Sequence, residues 1–121
     1  MEKNLQELST AKNERVTNGQ IIDAAEKYFA PDVKTIDFDG IVTRGKQATM
    51  KKLNEFIGSI QKVNEIALRG SATYDNTSFS EYIFSFEMKN GSKIYWHEII
   101  RSLWENGQIV EEQYFEGYPK N

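Results

Sequence analysis

The chain has 121 residues, no cysteine, one histidine and a formal net charge of −3 at pH 7. That length fits one domain, residues 1–121, able to bury most of its apolar surface unaided. The missing cysteines exclude a disulfide framework and thiolate metal sites, the lone His97 excludes a multi-histidine metal centre, and the mixed, slightly acidic charge excludes a nucleic-acid partner, which needs a clustered basic face.

No apolar run approaches the roughly 20 residues that span a bilayer. Residues 1–8 lack the basic and apolar regions of a signal peptide. A cytoplasmic protein with no cofactor and no membrane partner is the expectation.

Leu5, Leu8, Ala11 and Val16 predict a first helix that stops near Asn18-Gly19, where glycine supplies a left-handed cap. Ile21, Ile22, Ala24, Ala25, Tyr28 and Phe29 predict a second, closed by Ala30-Pro31-Asp32, because proline denies helical backbone to the residue before it and has no N–H. Residues 33–38 alternate and predict a short strand with Asp37 near its end, followed by a turn at Asp39-Gly40. Met50, Leu53, Phe56, Ile57 and Ile60 mark the third helix, with Lys46, Lys51, Lys52 and Glu55 on a solvated outer face.

From Lys62 the period becomes two. Four strands are expected, divided by Asp75-Asn76, Asn90-Gly91 and Asn106-Gly107. The last two pairs read as two-residue hairpin turns, which need positive φ at both central positions. Strands of about 12 residues would run roughly 40 Å, so the sheet must twist and curl. The fold class expected is α+β, with three helices on the concave side of a strongly curved, mostly antiparallel sheet. Residues 1–4 and 119–121 read as frayed.

Two-residue turns would set Phe86 opposite Tyr95, Phe84 opposite His97, Tyr82 opposite Ile99 and Arg101 opposite Glu112. One face then carries Tyr82, Phe84, Phe86, Met88, Tyr95, His97, Ile99, Arg101, Glu112 and Tyr114. With Tyr28 and Phe56 from the helices, these are the candidate walls of a pocket for an apolar or aromatic small molecule, or simply a solid core. Arg101 and Glu112 read as an ion pair closing one end, or as an arginine that holds a ligand carboxylate. The opposite face carries Ile94, Trp96, Ile100, Trp104 and Phe115, the expected surface of a homodimer formed through the outer sheet face.

The order and spacing of Tyr28-Phe29-Ala30-Pro31-Asp32-Val33, Ile36-Asp37, Gly45, Phe84-Ser85-Phe86-Glu87-Met88, Asn90-Gly91 and Asn106-Gly107-Gln108-Ile109 resemble the nuclear-transport-factor-2-like superfamily over nearly the whole chain. Its enzyme members include steroid Δ-isomerases and SnoaL-like polyketide cyclases; others only bind ligands or partners. The resemblance implies a cone-shaped sheet around a pocket and places the isomerases' base on Asp37. Their first-helix phenol falls near Lys12, which is no phenol. Their protonated acid falls near His97 by hairpin pairing, or on Glu98 by the following Ile99-Ile100-Arg101. The cyclases' acid on the last strand falls on Tyr114. The catalytic candidates are thus Asp37 as base and His97 or Tyr114 as donor, weighed against a non-catalytic dimeric scaffold. Asp37 could be desolvated by Phe29, Phe38 and Phe56 or be an ordinary exposed acid, and His97 could be a satisfied core residue.

Overall fold

A computed structural model of the protein describes residues 4–117. Helices α1 (Leu5–Thr17) and α2 (Ile21–Tyr28) lead into β1 (Phe29–Ile36). Then come β2 (Val42–Arg44), α3 (Lys46–Gly58) and four long strands, β3 (Ile60–Tyr74), β4 (Thr77–Met88), β5 (Lys93–Glu105) and β6 (Gln108–Glu116). The fraying expected at the two ends lies outside the described residues except at Asn4. That residue caps α1, where its Oδ1 accepts from the Glu7 N–H at 2.9 Å.

Local chemistry sets the element ends. Gly19 takes φ +82°, its N–H reaches the Val16 carbonyl and the Gln20 N–H reaches the Arg15 carbonyl, so the last turn of α1 is satisfied as the sequence predicts. The proline after α2 does not open a gap. β1 starts at Phe29 and runs through Pro31, which is tolerated because the pairing with β6 shifts register between Phe29 and Lys34. α3 ends at Gly58, and Ile60 opens β3 rather than closing the helix. β2 is an addition to the predicted elements, pairing antiparallel with β1 through Lys34 and Arg44.

The six strands lie in the order β2-β1-β6-β5-β4-β3, antiparallel at every junction except β1–β6. β3 slips register against β4 at three points, and each slip bends the strand, which curls the sheet as its length required. The helices pack on the concave side, where Val16, Tyr28, Phe29, Val33, Tyr82, Phe84, Phe86, Trp104 and Ile109 are buried together. This is the α+β architecture expected. No helix among the described residues is long and apolar enough to cross a membrane.

Two register steps decide which side chains of β5 look inward. Asn106-Gly107 is the expected two-residue turn, with Glu105 opposite Gln108 and φ of +52° and +77°. Asn90-Gly91 is not. Lys89, Asn90 and Gly91 form a three-residue loop, closed by the Met88 N–H on the Ser92 carbonyl at 2.8 Å, and of these residues only Gly91 is left-handed, at φ +90°. The cause is the Asn90 side chain. Its Oδ1 accepts from the Ser92 N–H at 2.9 Å and the Ser92 hydroxyl at 2.7 Å, a local bond that keeps Asn90 out of the left-handed region and lengthens the loop by one residue.

Phe84 therefore faces Trp96 rather than His97, Phe86 faces Ile94 rather than Tyr95, and Tyr82 faces Glu98 rather than Ile99. A second step follows where Leu103 pairs with Glu111 but Trp104 with Ile109, leaving Val110 as a bulge. That bulge returns Glu112 and Tyr114 to the face of Tyr82, and sets Arg101 opposite Gln113 rather than Glu112. A one-residue slip turns a whole strand over. Ile94, Trp96, Glu98, Ile100 and Ser102 thus face the helices. Tyr95, His97, Ile99 and Arg101 lie on the convex side, and of the expected outer patch only Phe115 remains there.

Candidate functional site

The curl of the sheet leaves a cavity of about 320 Å³ between the helices and the concave face, within the roughly 300–1,000 Å³ usual for ligand pockets. One wall is aromatic. Phe56 of α3 stacks on Trp96 at 5.3 Å between ring centroids, and Phe86 meets both edge-on, at 5.9 Å and 6.5 Å. Tyr82 and Phe84 continue the wall at 5.1 Å. The alternation of β4 and the inverted face of β5 bring these rings together.

The floor is polar and buried. Lys12 of α1 donates to Glu112 Oε2 at 2.6 Å, Ser102 Oγ donates to the same oxygen at 2.7 Å, and the Tyr114 hydroxyl donates to Glu112 Oε1 at 2.7 Å. Beside this cluster Asn13 Oδ1 accepts from the Tyr82 hydroxyl at 2.5 Å and from Ser80 Oγ at 3.1 Å. Burial, then the Glu112 charge, pushes both the Tyr82 and the Tyr114 phenol above the usual tyrosine range. Glu98 also lines the cavity. Burial, reinforced by the charges of Glu112 and Asp37, lifts its carboxyl to about 7.

Asp37 sits at the mouth, one residue past β1, where its N–H and carbonyl tie the turn to Ile41 and Gly40. Its carboxylate pairs with Lys52 of α3, so Lys52 is not simply part of a solvated face. The aromatic neighbours expected to desolvate Asp37, Phe29, Phe38 and Phe56, all line the cavity, but Phe38 is 55 % exposed and shields little.

Asp37, Tyr114, Phe56, Tyr82, Phe84, Phe86 and Glu112 line this one cavity. Tyr28 and Met88 are buried but lie outside the lining; Tyr28 packs edge-on against Trp104 at 5.7 Å. Tyr95, His97, Ile99 and Arg101 are on the other side of the sheet, turned there by the Asn90 loop. His97 Nε2 lies 2.5 Å from Glu81 Oε2. Arg101 pairs with Glu111 at 2.9 Å instead of Glu112, and Lys34 joins that carboxylate at 3.1 Å; these hydrogen bonds hold the Glu111 carboxyl below its usual range.

Two residues of the site had a weaker signature in the sequence. Glu98 stood only as the alternative to His97. Lys12 had a readable signal, since it falls on the stripe Leu5, Leu8, Lys12, Val16, where a buried lysine demands an acid partner.

No family profile matches the chain, and no curated protein matches it in sequence. Solved structures do match. A Mesorhizobium loti protein provisionally described as a SnoaL-like polyketide cyclase superposes with a TM-score of 0.83 at 23 % identity, over 93 % of this chain and 99 % of that one. A Catenulispora acidiphila protein with a ketosteroid isomerase-like fold, solved in complex with trimethylamine, gives 0.72 at 16 % identity over 90 % and 84 %. TerC, co-crystallised with polyporic acid, gives 0.71 at 11 % identity over 92 % and 89 %. Identities this low carry the fold and no more. The chain therefore has the nuclear-transport-factor-2-like fold, shared with these SnoaL-like and ketosteroid isomerase-like structures.

Proposed function

We propose that the protein is a small-molecule-binding domain whose cavity takes a flat, apolar ligand bearing a carbonyl group and moves a proton on it, in the manner of an isomerase or cyclase. One observation carries the reading: two carboxyls face the same apolar cavity in unlike environments. Asp37 is ion-paired with Lys52 at the mouth, whereas Glu98 is buried and lifted to about 7. Carboxyls in such different surroundings suit the roles of base and acid. Asp37 would take a proton from the carbon beside the carbonyl; the electron pair moves onto the oxygen, which the Glu98 carboxyl meets with its own proton. Glu98 thus takes the donor role for which His97 was the first candidate. Tyr114, whose hydroxyl is already given to Glu112, orders that carboxylate. The trimethylamine and polyporic acid bound by proteins of like fold support a small-molecule pocket.

The test needs no known substrate. Titrated with a flat aromatic ketone, the side-chain resonances of Trp96, Phe86 and Phe56 should shift, and those of Tyr95 and Ile99 should not. Shifts confined to the convex side would sink the pocket. Once a converted substrate is found, Asp37→Asn should keep its binding within about threefold and lower turnover by at least about 10²-fold.

A second reading, a homodimer through the convex face, is favoured by a different observation. Phe79, Tyr95, Ile99 and Phe115 are 37–41 % exposed on neighbouring outward positions of β4, β5 and β6. Dimerisation and ligand binding use opposite sides of the sheet and are compatible.

A further inference from the structure

The carboxyls that line the cavity outnumber the ammonium groups. Lys12 is taken by Glu112 and Lys52 by Asp37, while Asp39, on the rim, accepts from the Ile41 N–H at 3.1 Å. Glu98 has neither a cation nor a hydrogen-bond donor among the described residues. The charges that act on it, Glu112 and Asp37, are both negative, and Glu116, its partner across β6, is another acid. The hydroxyls nearby are committed, that of Tyr82 to Asn13 and that of Tyr114 to Glu112. From α2 the cavity receives only apolar side chains. The remaining neighbours of Glu98 are rings. Trp96 is two residues back on the same face of β5, Tyr82 lies directly opposite on β4, and Phe84 lies diagonally beyond it. With its proton on, such a carboxyl can meet a neutral oxygen. With its proton off, it leaves a negative charge unpaired beside ring faces that are themselves electron-rich, and that combination attracts a cation.

We propose that the cavity also takes an organic ammonium ion, whose nitrogen pairs with the Glu98 carboxylate among Trp96, Phe84 and Tyr82 while its apolar part fills the space toward Phe56 and Phe86. The ligand class then turns on the charge of one group: the protonated acid serves a carbonyl compound, the carboxylate serves an amine. Binding of the cation to the protonated form releases one proton from Glu98 to solvent. An anion would gain nothing here, since both ammonium groups are already paired and Glu112 and Asp37 would repel it. The proposal rests on the pocket reading above and adds a second class of ligand to it.

The experiment pairs benzyltrimethylammonium, a permanent cation with no proton of its own to lose, with 2-phenylethanol, a neutral compound carrying the same ring. Binding is followed at the Trp96 and Phe86 side-chain resonances. In the unmodified protein the cation should bind about tenfold more tightly at pH 8 than at pH 6, the ratio of ionised Glu98 at those values for a carboxyl near 7. The alcohol should bind alike at both. Glu98→Gln keeps the shape and every other titratable group. There the cation should lose its pH dependence and bind at least about tenfold more weakly at pH 8, while the alcohol stays within about threefold. An affinity for the cation that ignores pH in the unmodified protein, or that survives the substitution, overturns the proposal. So does an alcohol that enters while the cation does not, an outcome that leaves the pocket reading standing. If neither compound moves the Trp96 and Phe86 resonances, both readings fall together. Should Glu98→Gln not fold, the Glu98 carboxyl carbon of the unmodified protein decides. Saturating cation should lower its titration midpoint by at least about one pH unit, and an unmoved midpoint overturns the proposal.

Discussion

At the scale of single residues, Glu98 is the group whose charge state the fold changes most usefully. Its carboxyl rises from 4.5 to about 7, chiefly through burial. Between those values the folded chain holds a proton that the unfolded chain has released. The stabilisation from this proton is complete below 4.5 and is lost as pH climbs through 7, by on the order of 3 kcal/mol. Glu98→Gln stays neutral throughout and should lack that loss. Urea midpoints for both proteins from pH 4 to 8 measure it. The unmodified protein should weaken relative to the variant across the window; parallel curves would mean that Glu98 titrates as an ordinary surface acid. A carboxyl that keeps its proton up to near neutral pH is what the proposed chemistry needs, so stability and mechanism rest on one burial. The candidates were partly legible in the sequence. Asp37, Tyr82 and Tyr114 could be placed, because β1, β4 and the part of β6 beyond Val110 kept the faces their alternation predicted. His97 could not, because its facing depended on one loop residue.

At the scale of elements, that loop shows how small a local preference can redirect a strand. Asn90 spends its side chain on Ser92 and stays out of the left-handed region, so Gly91 alone takes positive φ. A Cβ at Gly91 meets nothing within 4 Å, so only backbone strain opposes one. Gly91→Ala should therefore cost about 1 kcal/mol. Gly58, in the last turn of α3, also has open space around it but no positive φ. Gly58→Ala should instead stabilise by about 0.5 kcal/mol. Opposite movements of the denaturant midpoint, with unchanged slope, are expected; a matching sign would contradict the loop geometry. The bulge at Val110 works in the same way at the other end of β5. Between them, these two one-residue steps invert β5 without disturbing β4 or the upper part of β6.

For the whole molecule, the inversion redistributes the apolar residues between the two sides of the sheet. Trp96, Ile94 and Ile100 go to the cavity and core, so mutating them should damage folding or ligand binding rather than association. The convex side keeps Phe79, Tyr95, Ile99 and Phe115, with the Lys34–Glu111–Arg101 cluster beside them. A face of this composition suits a second copy of the chain, related by a two-fold axis. Sedimentation equilibrium at micromolar concentration should show twice the 14.0 kDa chain mass. Ile99→Glu should reduce it to the single chain with the helical circular-dichroism signal intact. A unit-mass species in the unmodified protein would end the dimer reading and leave the cavity untouched.

The sequence by itself determined the order of the three helices and the long strands, the α+β class, the end of α1 at Asn18-Gly19, the inward face of β4 and that of β6 from Glu112 onward. Each of these follows from periodicity and turn chemistry acting over a few residues. The tertiary structure alone decided the facing of β5 and the pairing of Lys12 with Glu112. The first is a choice between turns that differ by one residue, settled where Asn90 finds Ser92. The second joins positions 100 apart in the chain, made neighbours only when α1 docks on the curled sheet. Local pattern can announce that a residue will be buried, but its partner is chosen by the packing that buries it.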